Sequence, residues 1–322
     1  MSAVELRRPP FDPEIAAALL TQRAEVVTSM GPETIEVLRE RALVPDHDTL
    51  TLGGRFGLTT HTAPGDPDVE LLLLRPVDAD GPVPLVLHLH GGGLVVGSMY
   101  DDVAAAAEVA SAVGGAVASI RYRLAPEHPY PSALEDSYAA LVWLAHNASD
   151  LGIDPDRVLV AGVSAGGGLA AATALLARER GGPAIAAQML VCPMLDDRND
   201  SGSGHQMAGT GAWDRTANAT AWAAYLPGTA GGPDVPPTAS PARAADLTDL
   251  PPTYLDVGSA ETFRDEVVAY AHAIWRAGGQ AELHVWPGGC HGFEFLAPQA
   301  RLSRDSREAR TRWLRRVLGS PL

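Results

Sequence analysis

From residue 68 onward the chain alternates short apolar runs with longer, Ala-rich stretches of helical period. The runs fall at 69–76, 84–90, 115–122, 157–162, 185–192, 252–258 and 281–287, and the helical patterns at 101–113, 132–146, 165–179, 262–277 and 302–318. A run such as "VELLLLRP" has no polar face, so a strand made from it must be covered on both sides. Strands of that kind separated by helices predict an α/β fold: a mostly parallel central sheet with helices on both faces. That expectation leaves two segments unexplained. Residues 1–45 read as amphipathic helices, and 196–248 is polar, Gly/Pro-rich and broken by one helical stretch, "AWDRTANATAWAAYL". The division expected is N-terminal cap helices (1–45), core (46–195), cap insertion (196–248) and core again (249–322). An ordinary surface excursion is the alternative reading of the insertion.

Composition narrows the function. A net charge of −15 over 322 residues argues against a nucleic-acid binder, which needs a basic stripe to displace counterions. All 24 basic residues are arginine. Without lysine there is no Walker-A lysine, no Schiff base and no Ser–Lys dyad. No uninterrupted apolar span reaches membrane length, so no membrane partner is expected. The two cysteines, Cys192 and Cys290, do not suggest a disulfide framework, and "MSAVELRRPPFDPEI" carries no apolar stretch of a secretory signal. A cytoplasmic location is the default expectation.

The chemistry begins at "VLVAGVSAGGGLA", residues 158–170, where an apolar run meets a glycine-rich turn and a helical pattern. Such turns cradle phosphates or hold a serine nucleophile. The dinucleotide fingerprint fails on count, because Ser164 stands where its second glycine belongs, and no acid follows at the required distance. G-x-S-x-G fits directly as Gly162, Val163, Ser164, Ala165 and Gly166. Upstream, "LHLHGGG" places Gly91, Gly92 and Gly93 after a strand, where bare backbone N–H groups can face an oxyanion. His88 and His90 there could instead be metal ligands, although no third ligand stands at recognisable spacing, and a purely structural turn is the other alternative. Near the end of the chain, His291 follows the last strand, placed to reach a serine on a neighbouring one.

With "HGGG", "YRLAPEHPYPSALED" (122–136), the serine turn, "RDE" (264–266) and "HGF" (291–293), the chain resembles the bacterial hormone-sensitive-lipase family of α/β-hydrolases over about residues 68–318. The resemblance implies a capped α/β-hydrolase fold, no cofactor or metal, and hydrolysis of small-molecule carboxylic esters through an acyl-enzyme. It makes Ser164 the nucleophile and His291 the general base, with N–H groups of Gly91, Gly92 and Ala165 as the oxyanion hole. The family acid falls at Glu261, where relatives more often have aspartate; Asp256 and Asp265 are the rivals. Val163 and Leu94 also depart from the family pattern, and Cys290 beside the base is read as packing or as a pocket residue. Met207, Trp213 and Trp222 are candidates for the substrate pocket or for cap-to-core packing. Relatives suggest short or medium acyl chains and a homodimer through the edge strand 281–287. The same machinery could cleave amides, carbamates or lactones, or transfer an acyl group; a non-catalytic small-molecule receptor is the alternative from another class.

Overall fold

The computed structural model describes residues 7–319 except Ala24 and Ala42. The ends of the 1–45 and 249–322 segments therefore lie outside the described residues. Eight strands form one sheet: β1 (Phe56–Ala63), β2 (Val69–Pro76), β3 (Val83–Leu89), β4 (Ala116–Ile120), β5 (Ile153–Val163), β6 (Ala187–Val191), β7 (Thr253–Gly258) and β8 (Ala281–Trp286). Their order is β1-β2-β4-β3-β5-β6-β7-β8. β2 pairs antiparallel with β1 and β4, and every other pairing is parallel.

Both faces are covered, as the unbroken apolar runs require. Along β2, Leu71 and Leu73 join the core on one face while Leu72 and Leu74 join the core on the other. Each such leucine contributes roughly 1.5–3 kcal/mol by leaving water, before the entropic cost of ordering it. Helices Ser132–His146, Ala165–Arg180 and Arg264–Arg276 cover the first face. Helices Val103–Ala110 and Arg301–Leu318 cover the second.

Three departures from the sequence reading have local causes. β1 was not expected: "FGLTTHTA" is an antiparallel edge strand, largely polar because only its ends, Phe56 and Ala63, are buried. β5 starts at Ile153, where the expected run began at 157, because the chain already pairs with Val83 there despite the polar "DPD". The 196–248 segment holds two helices, Gly202–Gln206 and Arg215–Tyr225, and a 3-10 turn at Pro241–Arg243, rather than a single helical stretch. Ser201 and Asp214 cap those helices by accepting hydrogen bonds from the first-turn N–H groups.

The N-terminal segment and this insertion are stitched together. Trp213 N–H donates to Val27 O at 2.8 Å, Asp214 N–H to Thr28 O at 2.7 Å, and the Thr220 hydroxyl to Met30 O at 2.6 Å. At the other end of the N-terminal segment, Asp12 N–H donates to Gly288 O, in the loop after β8. Among the described residues no helix is long and apolar enough to cross a membrane.

Candidate active site

The parallel register aligns the carboxyl ends of β3, β5, β6, β7 and β8, with Leu89 opposite Gly162, Val163 opposite Val191, and Gly258 opposite Trp286. The loops leaving those ends carry the candidate residues, as expected for ligand sites in α/β sheets. At the end of β5, Ser164 has φ 57°, ψ −120°, a strained backbone for a residue with a side chain. Its N–H donates to Val191 O at 2.8 Å, which fixes the turn. The flanking glycines are required by contact. A Cβ on Gly162 would lie 2.1 Å from Gly166 O, and one on Gly166 would lie 2.0 Å from Leu89 O. Only that close approach lets β5 turn directly into the following helix.

Ser164 Oγ lies 2.9 Å from His291 Nε2, and His291 Nδ1 lies 3.1 Å from Glu261 Oε1. A carboxylate only accepts, so Nδ1 carries the proton and Nε2 is left to accept from the serine hydroxyl. The other oxygen of Glu261, Oε2, accepts from Gly258 N–H at 2.7 Å. Glu261 is 1% exposed, and Phe263 meets the imidazole edge-on at 5.0 Å. Position and orientation of the ring are therefore set on three sides.

The rival carboxylates are engaged elsewhere. Asp256 accepts from Arg310 Nε at 2.9 Å, and Arg310 Nη1 also donates to Glu294 at 2.6 Å. Burial pushes the Asp256 carboxyl upward, with Arg310 opposing the shift. Asp265 accepts from Ser203 N–H at 2.7 Å and from Arg264. Among the described residues neither hydrogen-bonds to His291.

Gly91 sits against the serine turn: a Cβ there would lie 3.2 Å from Val163 O and 3.5 Å from Ser164 Cβ. Among the described residues, no acceptor is hydrogen-bonded to the N–H of Gly91, Gly92 or Ala165. A brace not foreseen from sequence holds this loop. Tyr122 stacks on His90 with ring centres 4.1 Å apart, and its hydroxyl donates to His90 O at 2.8 Å. His90 Nδ1 lies 2.7 Å from Gly91 O, tying back the carbonyl of the loop. Burial pushes His90 down to about 4, so it holds this contact as a neutral ring. The signal was present as Tyr122 of "YRLAPEH", yet its distance in sequence from His90 concealed the pairing.

Of the three pocket candidates, Trp213 stands beside His291. Its ring centre is 6.5 Å from that of His291, and a Cβ on Gly93 would come within 2.5 Å of its edge. Trp222 lines a small void with Leu94 and Ala165. Met207 packs near Gly211, which also faces Phe11. Cys290 is buried in a small apolar cluster with Ile15 and Phe293. Cys192, which the sequence did not mark as a site residue, brings its sulfur within 4.8 Å of the Glu261 and His291 ligand atoms. Those three are the metal-capable grouping among the described residues, and neither His88 nor His90 belongs to it. Burial raises the Cys192 thiol well above its ordinary value, with Glu261 adding to the shift, so it is a protonated neighbour of the pair.

A family model described as the alpha/beta hydrolase fold matches residues 86–295. Carboxylesterase NlhH of Mycobacterium tuberculosis is 34% identical over 298 residues, covering 91% of this chain and 92% of that protein. Among solved structures, a bacterial heroin esterase superposes with a TM-score of 0.87 at 37% identity, over 96% of this chain and 98% of that one. Esterase LipW from Mycobacterium marinum gives a TM-score of 0.85 at 33% identity, over 97% of this chain and 98% of that one. Sheet order, serine turn and a likeness that runs along nearly the whole length lead to one conclusion: the chain belongs to the α/β-hydrolase fold family, in its hormone-sensitive-lipase-like branch of carboxylic ester hydrolases.

Proposed function

We propose that this chain is a serine carboxylesterase acting on small esters with short to medium acyl chains. The observation that carries the proposal is the unbroken line Ser164–His291–Glu261, at 2.9 and 3.1 Å. His291 Nε2 takes the proton of Ser164 as Oγ attacks the ester carbonyl. The N–H groups of Gly91, Gly92 and Ala165 receive the developing oxyanion, each such donor being worth on the order of 10²–10³ in kcat. His291 then protonates the departing alcohol, and water repeats the sequence on the acyl-enzyme. Glu261 keeps the imidazole in the productive tautomer and offsets its transient charge.

Segments 1–45 and 196–248 act in this reading as a cap. The hydrogen bonds that join Val27, Thr28 and Met30 to the insertion support it, as does Trp213 over the base. An aromatic wall so close to His291 favours small, soluble substrates over emulsified fat. The relatives named carboxylesterase and heroin esterase support ester rather than amide cleavage. β8 ends the sheet, and we propose that its outer edge pairs two copies; a monomer in sedimentation velocity would remove that idea.

The decisive experiment pairs a short p-nitrophenyl ester with a serine-directed phosphonate. Saturable turnover, one phosphonate per chain on Ser164, and loss of both in Ser164→Ala are expected. Absence of turnover together with absence of labelling would sink the esterase reading.

A further inference from the structure

A cavity of about 290 Å³ lies on the second face of the sheet, away from the helix that follows Ser164. Neither Ser164, Glu261, His291 nor Trp213 lines it. Its floor is built from β3, β5 and β6 through Val86, Leu159 and Met189. Helices Val103–Ala110 and Arg301–Leu318 wall it with Val109 and Leu314, and exposed Ala105 and Phe295 stand at the rim. Into this apolar space faces His88, 3% exposed, whose Nε2 has no hydrogen-bond partner among the described residues.

An unpaired ring nitrogen in a low-dielectric site is costly, and an occupant that pairs it is favoured. Water is a poor candidate, because buried waters make about three hydrogen bonds and the floor offers one. Ionised head groups are also disfavoured. Arg310 and Glu294 line the cavity but are committed to each other and to Asp256, and half-buried Arg307, which also lines it, donates to Pro298 O at 2.6 Å. Burial, then Asp101 and Glu294, pushes the lining residue Asp102 up to about 7, which marks the surroundings as hostile to added negative charge. A hydroxyl both donates and accepts, so it satisfies the ring nitrogen in either tautomer. A cavity of about 150 Å³ holds benzene, so this one has room for a ring with a short substituent.

We propose that this cavity is a second small-molecule site, distinct from the ester-cleaving one, that takes a neutral one-ring phenol with its hydroxyl on His88 Nε2. The site touches both halves of the chemistry: Gly162 and Val163 lead into the serine turn, and Glu294 stands three residues after His291, in the first turn of the short helix Phe293–Leu296. The proposal does not depend on what Ser164 does.

Calorimetric titration with p-cresol, toluene and benzylamine tests it on the wild type, Ala106→Trp and His88→Phe. Ala106 lines the cavity from a half-buried helix position, so a tryptophan there fills the space without disturbing the sheet. Expected are one p-cresol per chain, binding roughly fivefold tighter than toluene from one neutral hydrogen bond, and loss of binding in Ala106→Trp. In His88→Phe the preference for p-cresol over toluene disappears. Binding that survives Ala106→Trp would place the ligand elsewhere and overturn the proposal. So would equal affinity for p-cresol and toluene in the wild type, or benzylamine binding tighter than p-cresol. If His88→Phe does not fold, the Ala106→Trp and wild-type comparisons decide alone.

Discussion

Asp256 within β7 and Glu261 in the loop after it are buried to the same degree, yet they have different partners. Asp256 is 2% exposed and Glu261 1%. Asp256 belongs to a closed ion cluster in which Arg310 reaches Asp256 at 2.8 Å and Glu294 at 2.6 Å. Among the described residues Glu261 makes no ion pair with an arginine; it accepts one backbone N–H and one imidazole N–H. The cluster ties the C-terminal helix to the loop carrying His291, because Glu294 stands at the start of the short helix Phe293–Leu296. A charge matched by a fixed cation is a structural element. A charge whose partner gains its proton only during reaction is available for catalysis.

Substitution should separate the two along different axes. Glu261→Gln keeps the shape but presents an amide to Nδ1, and kcat should fall on the order of 10³–10⁴-fold with KM little changed. Asp256→Asn should leave kcat within about threefold, since that carboxylate does not contact His291. Stability should move the other way. Arg310→Met leaves Asp256 and Glu294 facing each other with no cation, a loss of about 3–5 kcal/mol in urea unfolding. Asp256→Asn should cost less, because Glu294 still pairs the guanidinium. If Glu261→Gln retained near wild-type kcat while Asp256→Asn lost it, the assignment of the acid would be reversed.

The same contrast marks how far the sequence could be read. Glu261 could be placed beside His291 because the family resemblance sets its position relative to "RDE" over a short range, as it does for the serine turn and "HGGG". Element positions were legible where burial on both faces forces unbroken apolar runs; helix Ser132–His146 matches the expected 132–146. β1 was not, since an edge strand needs apolar residues only where it meets the core. The Asp256–Arg310–Glu294 cluster and the Tyr122–His90 brace were invisible for another reason. Their members come from separate segments, and no spacing rule links a helix arginine to a strand aspartate 54 positions earlier. The cavity under His88 escaped likewise: "LHLH" offered at most a metal-ligand alternative without a third ligand, and only the packing of two helices shows an unpaired nitrogen.

Histidines sharpen the comparison further. His291 has a partner at both nitrogens, whereas His88 lacks one at Nε2. Burial, reinforced by neighbouring His90, pushes His88 down to about 4, with the Asp101 backbone acting against it. Below about pH 6.5 an unfolded histidine takes up a proton that native His88 refuses until about pH 4. Between those limits the unfolded chain binds more protons, so this residue lowers stability as pH falls through the window. His88→Phe removes that penalty. Its stability relative to wild type should therefore improve by up to about 2 kcal/mol between pH 7 and pH 5, read from urea midpoints at each pH. His90, pushed down by its own burial, keeps its share of the slope in both proteins, so the difference isolates one proton. A difference that stayed constant across the window would mean that folded His88 takes up its proton over the same range as the unfolded chain, and the unpaired nitrogen would then have found a partner.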